Sequence, residues 1–362
     1  MYEWHWRHYL SELEDAGHVV VDCNPNSVLK RHGTPAENAE ILKRTALTAA
    51  EQNGNCMLLA AQGRDDNLDP SVVDLLKSKG ILCANICVDG YLERTHVKSI
   101  GHHFDVNWVT HHSAEDISSF GCNVLYLPMA ANPRFFTPHQ DKRDLVIGFV
   151  GSNYGARSLY AAAIPADGVP MRIRGRGWSV DSVGSAGRGT KSINMQSLFQ
   201  LLSFPAGRTV VRAGIQSRLA AMRLHSPVAS KLNGIEIGDE VSLEDMVAFY
   251  GQCAMSLGVS ELYNTRILEN PLYQYPLRDF ECPMSGCAHL VRRCAELEEC
   301  FADGKEVLFY DSIEECADKG RFFLLGDHEN DVLEIGRAAR ARSVQEHTWM
   351  RRFGALWKHL GI

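Results

Sequence analysis

The sequence predicts an α/β protein of two units, each a parallel β-sheet covered by helices on both faces. Three observations carry this reading. Short apolar runs bounded by turn residues alternate along the chain with segments of helical periodicity, the pattern left by strands buried on both sides. The 362 residues exceed what one hydrophobic core ordinarily serves. A polar, proline-containing stretch at residues 133–143 (PRFFTPHQDKR) divides the alternation into two halves.

In the first half, residues 8–16 read as a helix with Tyr9, Leu10 and Leu13 on one side, and Val19-Val20-Val21-Asp22 as a short buried strand. A helix over 36–53 and a strand over 56–61 follow. Asp69 is placed to cap a helix that starts at Pro70 and runs to Lys79, because proline fits the first helical position. Residues 81–88, 106–110 and 124–127 are the next strands, with Asp89, His111 and His112 just beyond the ends of two of them. The chain opens on helix-like Tyr2-Glu3-Trp4-His5-Trp6-Arg7, so the leading strand of an ordinary unit of this kind is either missing or dispensed with. The aromatic cluster Trp4, His5, Trp6, His8 and Tyr9 has two readings: a stacking surface beside a ligand cleft, or a helix start packed on the core.

The second half begins with a strand at 145–150 that runs into Gly151-Ser152-Asn153-Tyr154-Gly155-Ala156-Arg157, a glycine-bearing turn opening a helix. In a parallel sheet this turn lies at the carboxyl ends of the strands, where amides and Arg157 meet an anion. It lacks the Lys-Ser/Thr of a P-loop, and no GxGxxG follows either leading strand, which sets aside P-loop nucleotide hydrolysis and dinucleotide binding. Met171-Arg172-Ile173-Arg174-Gly175-Arg176-Gly177-Trp178 is a strand ending in a glycine turn. From Arg172 to Lys231 ten basic residues face a single acid, Asp181, inside a chain of net charge −7. Such asymmetry suits a polyanionic partner, nucleic acid or a lipid phosphate. Residues 182–189 form a glycine-serine loop; 242–250 read as a helix and 254–259 as a strand. After a polar aromatic loop comes YPLRDFECPMSGC at 275–287. There Arg278, the acid Glu281 on the first helical turn and the small-residue turn at Ser285-Gly286 suit a nucleoside diphosphate, phosphates on arginine and ribose on the carboxylate. A strand near 289–291, a helix capped by Ser312 and one long helix over 331–357 complete the chain.

With 45% hydrophobic and 22% charged residues the composition is that of a globular protein, and no run of about 18 apolar residues or signal segment calls for membrane insertion or export. Eleven cysteines without a CxxC pair predict free thiols in a reducing cytoplasm and no metal site, the cluster Cys282, Cys287, Cys294 and Cys300 lacking zinc-type spacing.

An ordered set of segments resembles the CgeB-like (spore maturation protein-like) glycosyltransferases of the GT-B class. It runs through Gly17-His18-Val19-Val20, Leu75 to Ile81, Val88-Asp89-Gly90, Phe104-Asp105, Leu127-Pro128-Met129-Ala130-Ala131-Asn132-Pro133, Gly148-Phe149-Val150-Gly151-Ser152 with Arg157, Arg174-Gly175-Arg176-Gly177-Trp178, the RDFE segment, and His347-Thr348 with Arg351 or Arg352. Residues 182–235 stand outside it. The resemblance implies a GT-B fold, two Rossmann-like domains facing each other across a cleft: 1–138 on the acceptor side, 139–345 binding the donor, and 346–362 a terminal helix that crosses back. It implies a metal-independent hexosyltransferase that moves sugar from a nucleotide diphosphate sugar, UDP-sugar first, to an unidentified acceptor. The nucleotide sugar is then a co-substrate, and no other cofactor is expected. Donor contacts fall on Gly151, Ser152, Arg157, Arg174, Gly175, Trp178, Arg278, Asp279, Glu281 and Gly286. If the reaction inverts configuration, the base comes from the first domain, Asp89 first and then His111 or His112. Many retaining relatives carry a second glutamate eight residues before the one matching Glu281; here Tyr273 stands there, with Glu269 upstream. A nucleotide-sugar epimerase of the same architecture and a non-catalytic nucleotide-sugar binder are the alternatives.

Overall fold

The computed structural model describes residues 5–61, 68–88, 99–111, 121–138, 142–166, 168–183, 195–223 and 234–362. The chain divides into two compact units, residues 1–132 with 349–362, and residues 133–348. The division falls at Asn132/Pro133 and Thr348/Trp349, a few residues from the boundaries 138/139 and 345/346 expected from sequence.

In the first unit β1 (Met57–Ala61), β2 (Leu82–Cys87), β3 (Val106–Val109) and β4 (Val124–Tyr126) form a parallel sheet in that spatial order. Every residue of β3 is buried, as a strand covered on both faces requires. The helices Pro35–Asn53 and Pro70–Ser78 pack Leu42, Ala46, Val72, Val73 and Leu76 on Leu58, Ile81 and Cys83. Both begin on sequence signals: Thr34 and Glu37 make a reciprocal capping box, and the Asp69 carboxylate accepts the Ser71 N–H, each followed by proline at the first turn. The expected strand at Val19–Asp22 does not form. Val19 and Val21 are exposed, Val19 by 70%, Val20 is half-buried, and the segment pairs with no strand among the described residues.

The helix Trp349–Leu360 belongs to this first unit although it is last in the chain. Trp349 lies 5.3 Å from Tyr9 and 5.9 Å from Trp108, ring centre to ring centre, and Phe353 stands edge-on to Trp108. The Glu12 carboxylate accepts the Met350 N–H at 2.9 Å, and Arg352 donates to the carbonyls of Pro128 and Met129. Among the described members of the amino-terminal aromatic cluster, Tyr9 and His8 are buried, as core packing requires of them, and His5 and Trp6 are half-buried. The single helix expected over 331–357 is two, Glu329–Glu346 and Trp349–Leu360, broken at His347.

In the second unit six parallel strands lie in the order β10-β9-β8-β5-β6-β7: β5 (Asp144–Val150), β6 (Met171–Arg174), β7 (Ile235–Gly238), β8 (Cys253–Gly258), β9 (Ala288–Arg292) and β10 (Leu308–Tyr310). The direction of winding reverses between β5 and β8, the place where open α/β sheets open a crevice at the carboxyl ends of their strands. One core spans this sheet, with Ile147, Phe149, Met171, Ile173, Met255, Leu257 and Leu290 under Tyr160, Ile164, Leu324 and Val332.

Trp349→Ala removes a side chain that is 1% exposed and joins three elements of the first unit. Urea denaturation of the intact chain is expected to show a loss of about 3–5 kcal/mol in that unit, with the second unit unaffected.

Candidate functional site

The carboxyl end of β5 is tied to that of β6 by backbone. The Gly151 N–H donates to the Arg174 carbonyl at 2.8 Å, the Asn153 N–H to the Arg176 carbonyl at 2.8 Å, and the Trp178 indole to the Gly151 carbonyl at 2.7 Å. Gly175, at φ +145°, sits so close that a Cβ there would lie 2.3 Å from the Gly151 oxygen. Glycine at 175 is therefore a steric requirement. Gly155 meets the backbone of Tyr263 in the same way, and Tyr263 itself adopts the left-handed conformation, φ +50°.

Two arginines converge on this turn. A Cβ on Gly151 would lie 2.6 Å from Arg278 Nη2 and 3.2 Å from Arg157 Nη1. Arg157 opens the helix Arg157–Ala166 just past β5. Its guanidinium lies over the Tyr154 ring at 3.7 Å, donates to the Tyr154 hydroxyl at 2.6 Å and to the Ser152 carbonyl at 2.9 Å. Arg278 opens the helix Arg278–Met284, in the connection that follows β8. Both guanidiniums approach the Phe149 ring, at 5.4 and 4.8 Å. Neither is joined to a carboxylate among the described residues, and Arg278 makes no hydrogen bond to them. Burial, with the charge of Arg278 beside it, lowers the pKa of Arg157 to about 9. Such a pair is arranged for an anion with more than one charge.

Glu281 lies one turn beyond Arg278 and is buried. Desolvation pushes its pKa up to about 8, against the pull of Arg278 and with the help of Asp279. The structure thus brings Gly151, Ser152, Arg157, Gly175, Trp178 and Arg278 to one place at the reversal point of the sheet, with Glu281 on the same short helix as Arg278.

Other expected contacts fall elsewhere. Asp279 turns into the fold, where its carboxylate meets His289 Nε2 at 3.0 Å and the Ser260 hydroxyl at 3.4 Å, while His289 Nδ1 meets the Ser256 hydroxyl at 2.8 Å. This buried chain anchors the Arg278–Met284 helix to the sheet. Arg174 pairs with Glu236 on β7, because alternation along β6 directs residues 172 and 174 away from the core that holds Met171 and Ile173. Arg172 is shared by Glu236 and Asp144, and Arg176 pairs with Glu240, so the first three arginines of the basic stretch are neutralised within the fold. Gly286 caps the far end of the Arg278–Met284 helix at φ +70°, its carbonyl pressed on Gly336. His111 is buried in the first unit, and desolvation lowers its pKa to about 4. Asp89 and His112 lie outside the described residues. His347 is also buried, its ring against Phe280 and Phe301 and its Nε2 at 2.9 Å from the Cys300 carbonyl. Tyr273 receives a hydrogen bond from Arg292 at 3.3 Å, and Glu269 is exposed. Sequence reading missed Phe149, Tyr154 and Tyr263. Of these Tyr154 stood one helical turn before Arg157 in the glycine-bearing segment, and Phe149 lay within the Gly148–Ser152 segment of the resemblance, neither singled out for a role.

Residues 209–358 match the family model described as glycosyl transferase-like, and no curated protein matches the chain. Solved structures resemble it over most of its length. Sucrose-phosphate synthase from Thermosynechococcus elongatus is 12% identical with a TM-score of 0.51, covering 90% of this chain and 78% of its own. HepE of Anabaena, solved with UDP and glucose, is 10% identical with a TM-score of 0.52, covering 91% and 83%. A glycosyltransferase from Rickettsia africae is 12% identical with a TM-score of 0.52, covering 97% and 87%. The fold is GT-B. At such identities the likeness is one of architecture, and the GT-B pattern accounts for the two parallel sheets. The family match ends within the terminal helix and begins inside the helix Pro205–Arg223.

Two outcomes follow from this geometry. Glu281 holds its proton to about pH 8 when folded and to its ordinary value of 4.5 when unfolded, so the unfolded chain releases it first as pH rises. Thermal stability is expected to lose this contribution from about pH 4.5 to about pH 8, and Glu281→Gln to flatten that fall. Gly175→Ala is expected to destabilise the second unit by about 1–3 kcal/mol in chemical denaturation, through strain at positive φ and the clash with Gly151.

Proposed function

We propose that the protein is a glycosyltransferase of the CgeB-like kind that transfers a hexosyl group from a nucleotide diphosphate sugar to an acceptor. The observation that carries this reading is the convergence of Arg157 and Arg278 on the Gly151 turn, at the point of sheet reversal, without a carboxylate partner among the described residues. UDP is the nucleotide favoured, since a GT-B protein of the same architecture was solved with it.

In the transfer, the bond between the sugar's anomeric carbon and the β-phosphate oxygen breaks, a bond to an acceptor oxygen forms, and the acceptor loses a proton. Charge grows on the departing diphosphate. Two guanidiniums already fixed in place stabilise that charge more than they stabilise the bound donor, which is the condition for acceleration. The Gly151 turn lets phosphate oxygens approach backbone that a side chain would block. Glu281 is assigned the ribose hydroxyls, and Trp178, bonded to the Gly151 carbonyl, the rim of the nucleoside pocket. His111 is a poor general base at neutral pH, because its lowered pKa of about 4 leaves little driving force for proton capture. Asp89 and His112 remain the assigned candidates for an inverting reaction.

Isothermal titration with UDP tests the assignment. Arg278→Ala is expected to lower affinity about tenfold or more, the loss of one charge-assisted phosphate contact, while the circular dichroism melt stays at the wild-type position. Glu281→Ala is expected to weaken UDP binding as well, with the fold intact. Wild-type affinity in both variants would move the nucleotide site elsewhere.

A further inference from the structure

The basic stretch that the donor site does not absorb is concentrated on one helix. From residue 182 to residue 235 the sequence contains no acid, yet it carries Arg188, Lys191, Arg208, Arg212, Arg218, Arg223 and Lys231. The helix Pro205–Arg223 lies in the middle of this span. Its inner side is small: Ala206 and Ala213 are buried, and Gly207 fits so closely to the Leu201 backbone that a Cβ would clash at 1.9 Å. Its outer side has a different character. Arg208, Arg212, Ile215 and Leu219 recur at helical spacing within one narrow stripe, all exposed, Ile215 by 57% and Leu219 by 45%. Arg218 is exposed at its border. None of Arg208, Arg212 or Arg218 pairs with a carboxylate among the described residues. The preceding helix, Met195–Leu202, exposes Phe199 by 66%.

We propose that the outer face of the Pro205–Arg223 helix is an interfacial surface that docks on anionic phospholipid. The helix lies flat, arginines on the lipid phosphates and Ile215 and Leu219 in the boundary between headgroups and acyl chains. Charge complementarity names an anionic surface, and the aliphatics select lipid over nucleic acid. A polyphosphate strand rewards cations and stacking rings but gives exposed isoleucine and leucine nothing to bury against. The span is too polar to cross a bilayer, and among the described residues no helix is long and apolar enough to do so. The inference rests on this helix alone and stands apart from the nucleotide site.

The test is flotation of the full chain with vesicles of phosphatidylcholine, with and without phosphatidylglycerol, at low and high salt. Binding is expected only with the anionic vesicles, and to fall with salt. Arg208→Gln and Arg212→Gln are each expected to weaken it about fivefold, from ~1 kcal/mol per basic residue at the surface. The double variant Ile215→Ser/Leu219→Ser is expected to weaken it further at equal charge, with an unchanged thermal melt. The proposal is overturned by absence of flotation, by equal binding to both vesicle types, or by serine variants that bind as wild type. It is overturned equally if the face instead retains single-stranded DNA, or if its apolar residues drive self-association of the chain in solution.

Discussion

Two positive charges held side by side, with no carboxylate bonded to either among the described residues, are the constraint on which the second unit turns. Arg157 and Arg278 each place a nitrogen within 3.2 Å of the same point above Gly151, so they are separated by no more than about 6 Å. At an effective dielectric of about 20 that repulsion costs roughly 3 kcal/mol. The Phe149 ring that both approach returns about 0.5–2 kcal/mol per cation, which offsets the cost only in part. Without a ligand the arrangement is tolerated; with a multiply charged anion it becomes favourable. The pKa of Arg157 is lowered by its burial first and by the charge of Arg278 second.

Such a pair persists only where the backbone leaves it no alternative. Arg157 is pinned by Tyr154 and by the Ser152 carbonyl, and the turn that carries both is stitched to the end of β6. Arg278 is fixed from the other side, because Asp279 next to it is locked to Ser260 and to His289, which is itself held by Ser256 inside the sheet. His347 closes the arrangement by filling the space beside Phe280. The acid nearest the arginines by sequence is thus spent on support, and its absence from the charge pair is what leaves the pair open to an external partner.

Much of this was legible in the sequence, and the failures have physical causes. β1, β2, β3, β5, β8 and β9 were readable because strands buried on both faces are largely apolar runs, and β4 and the alternating β6 as short segments between turn residues. Two edge strands were not: β7 is Ile-Glu-Ile-Gly and β10 only Leu-Phe-Tyr, too short for periodicity to declare. Val19 to Asp22 carried a strand's composition with nothing to pair with, since β-propensity expresses a pleated, half-buried neighbourhood rather than a property of the residues. At the site, Arg157, Arg278 and the glycines were found because glycine marks close backbone approach and arginine at a strand end has few structural uses. The pairing of Arg174 with Glu236 was not foreseen because the partner lies 62 residues away, and a cross-strand ion pair leaves no local signature. Phe149 reads as core in any one-dimensional view, and is core; its second role beneath two cations exists only in three dimensions.

The return of Trp349 to the aromatic cluster of Tyr9 and Trp108 has a consequence for how the molecule is made. Its first unit cannot complete its own interior until residues 349–362 have left the ribosome. Order among residues 1–132 therefore waits on their synthesis, long after the intervening unit has had the chance to fold. A nonsense codon just before Trp349 would be felt first in the unit that precedes residue 133.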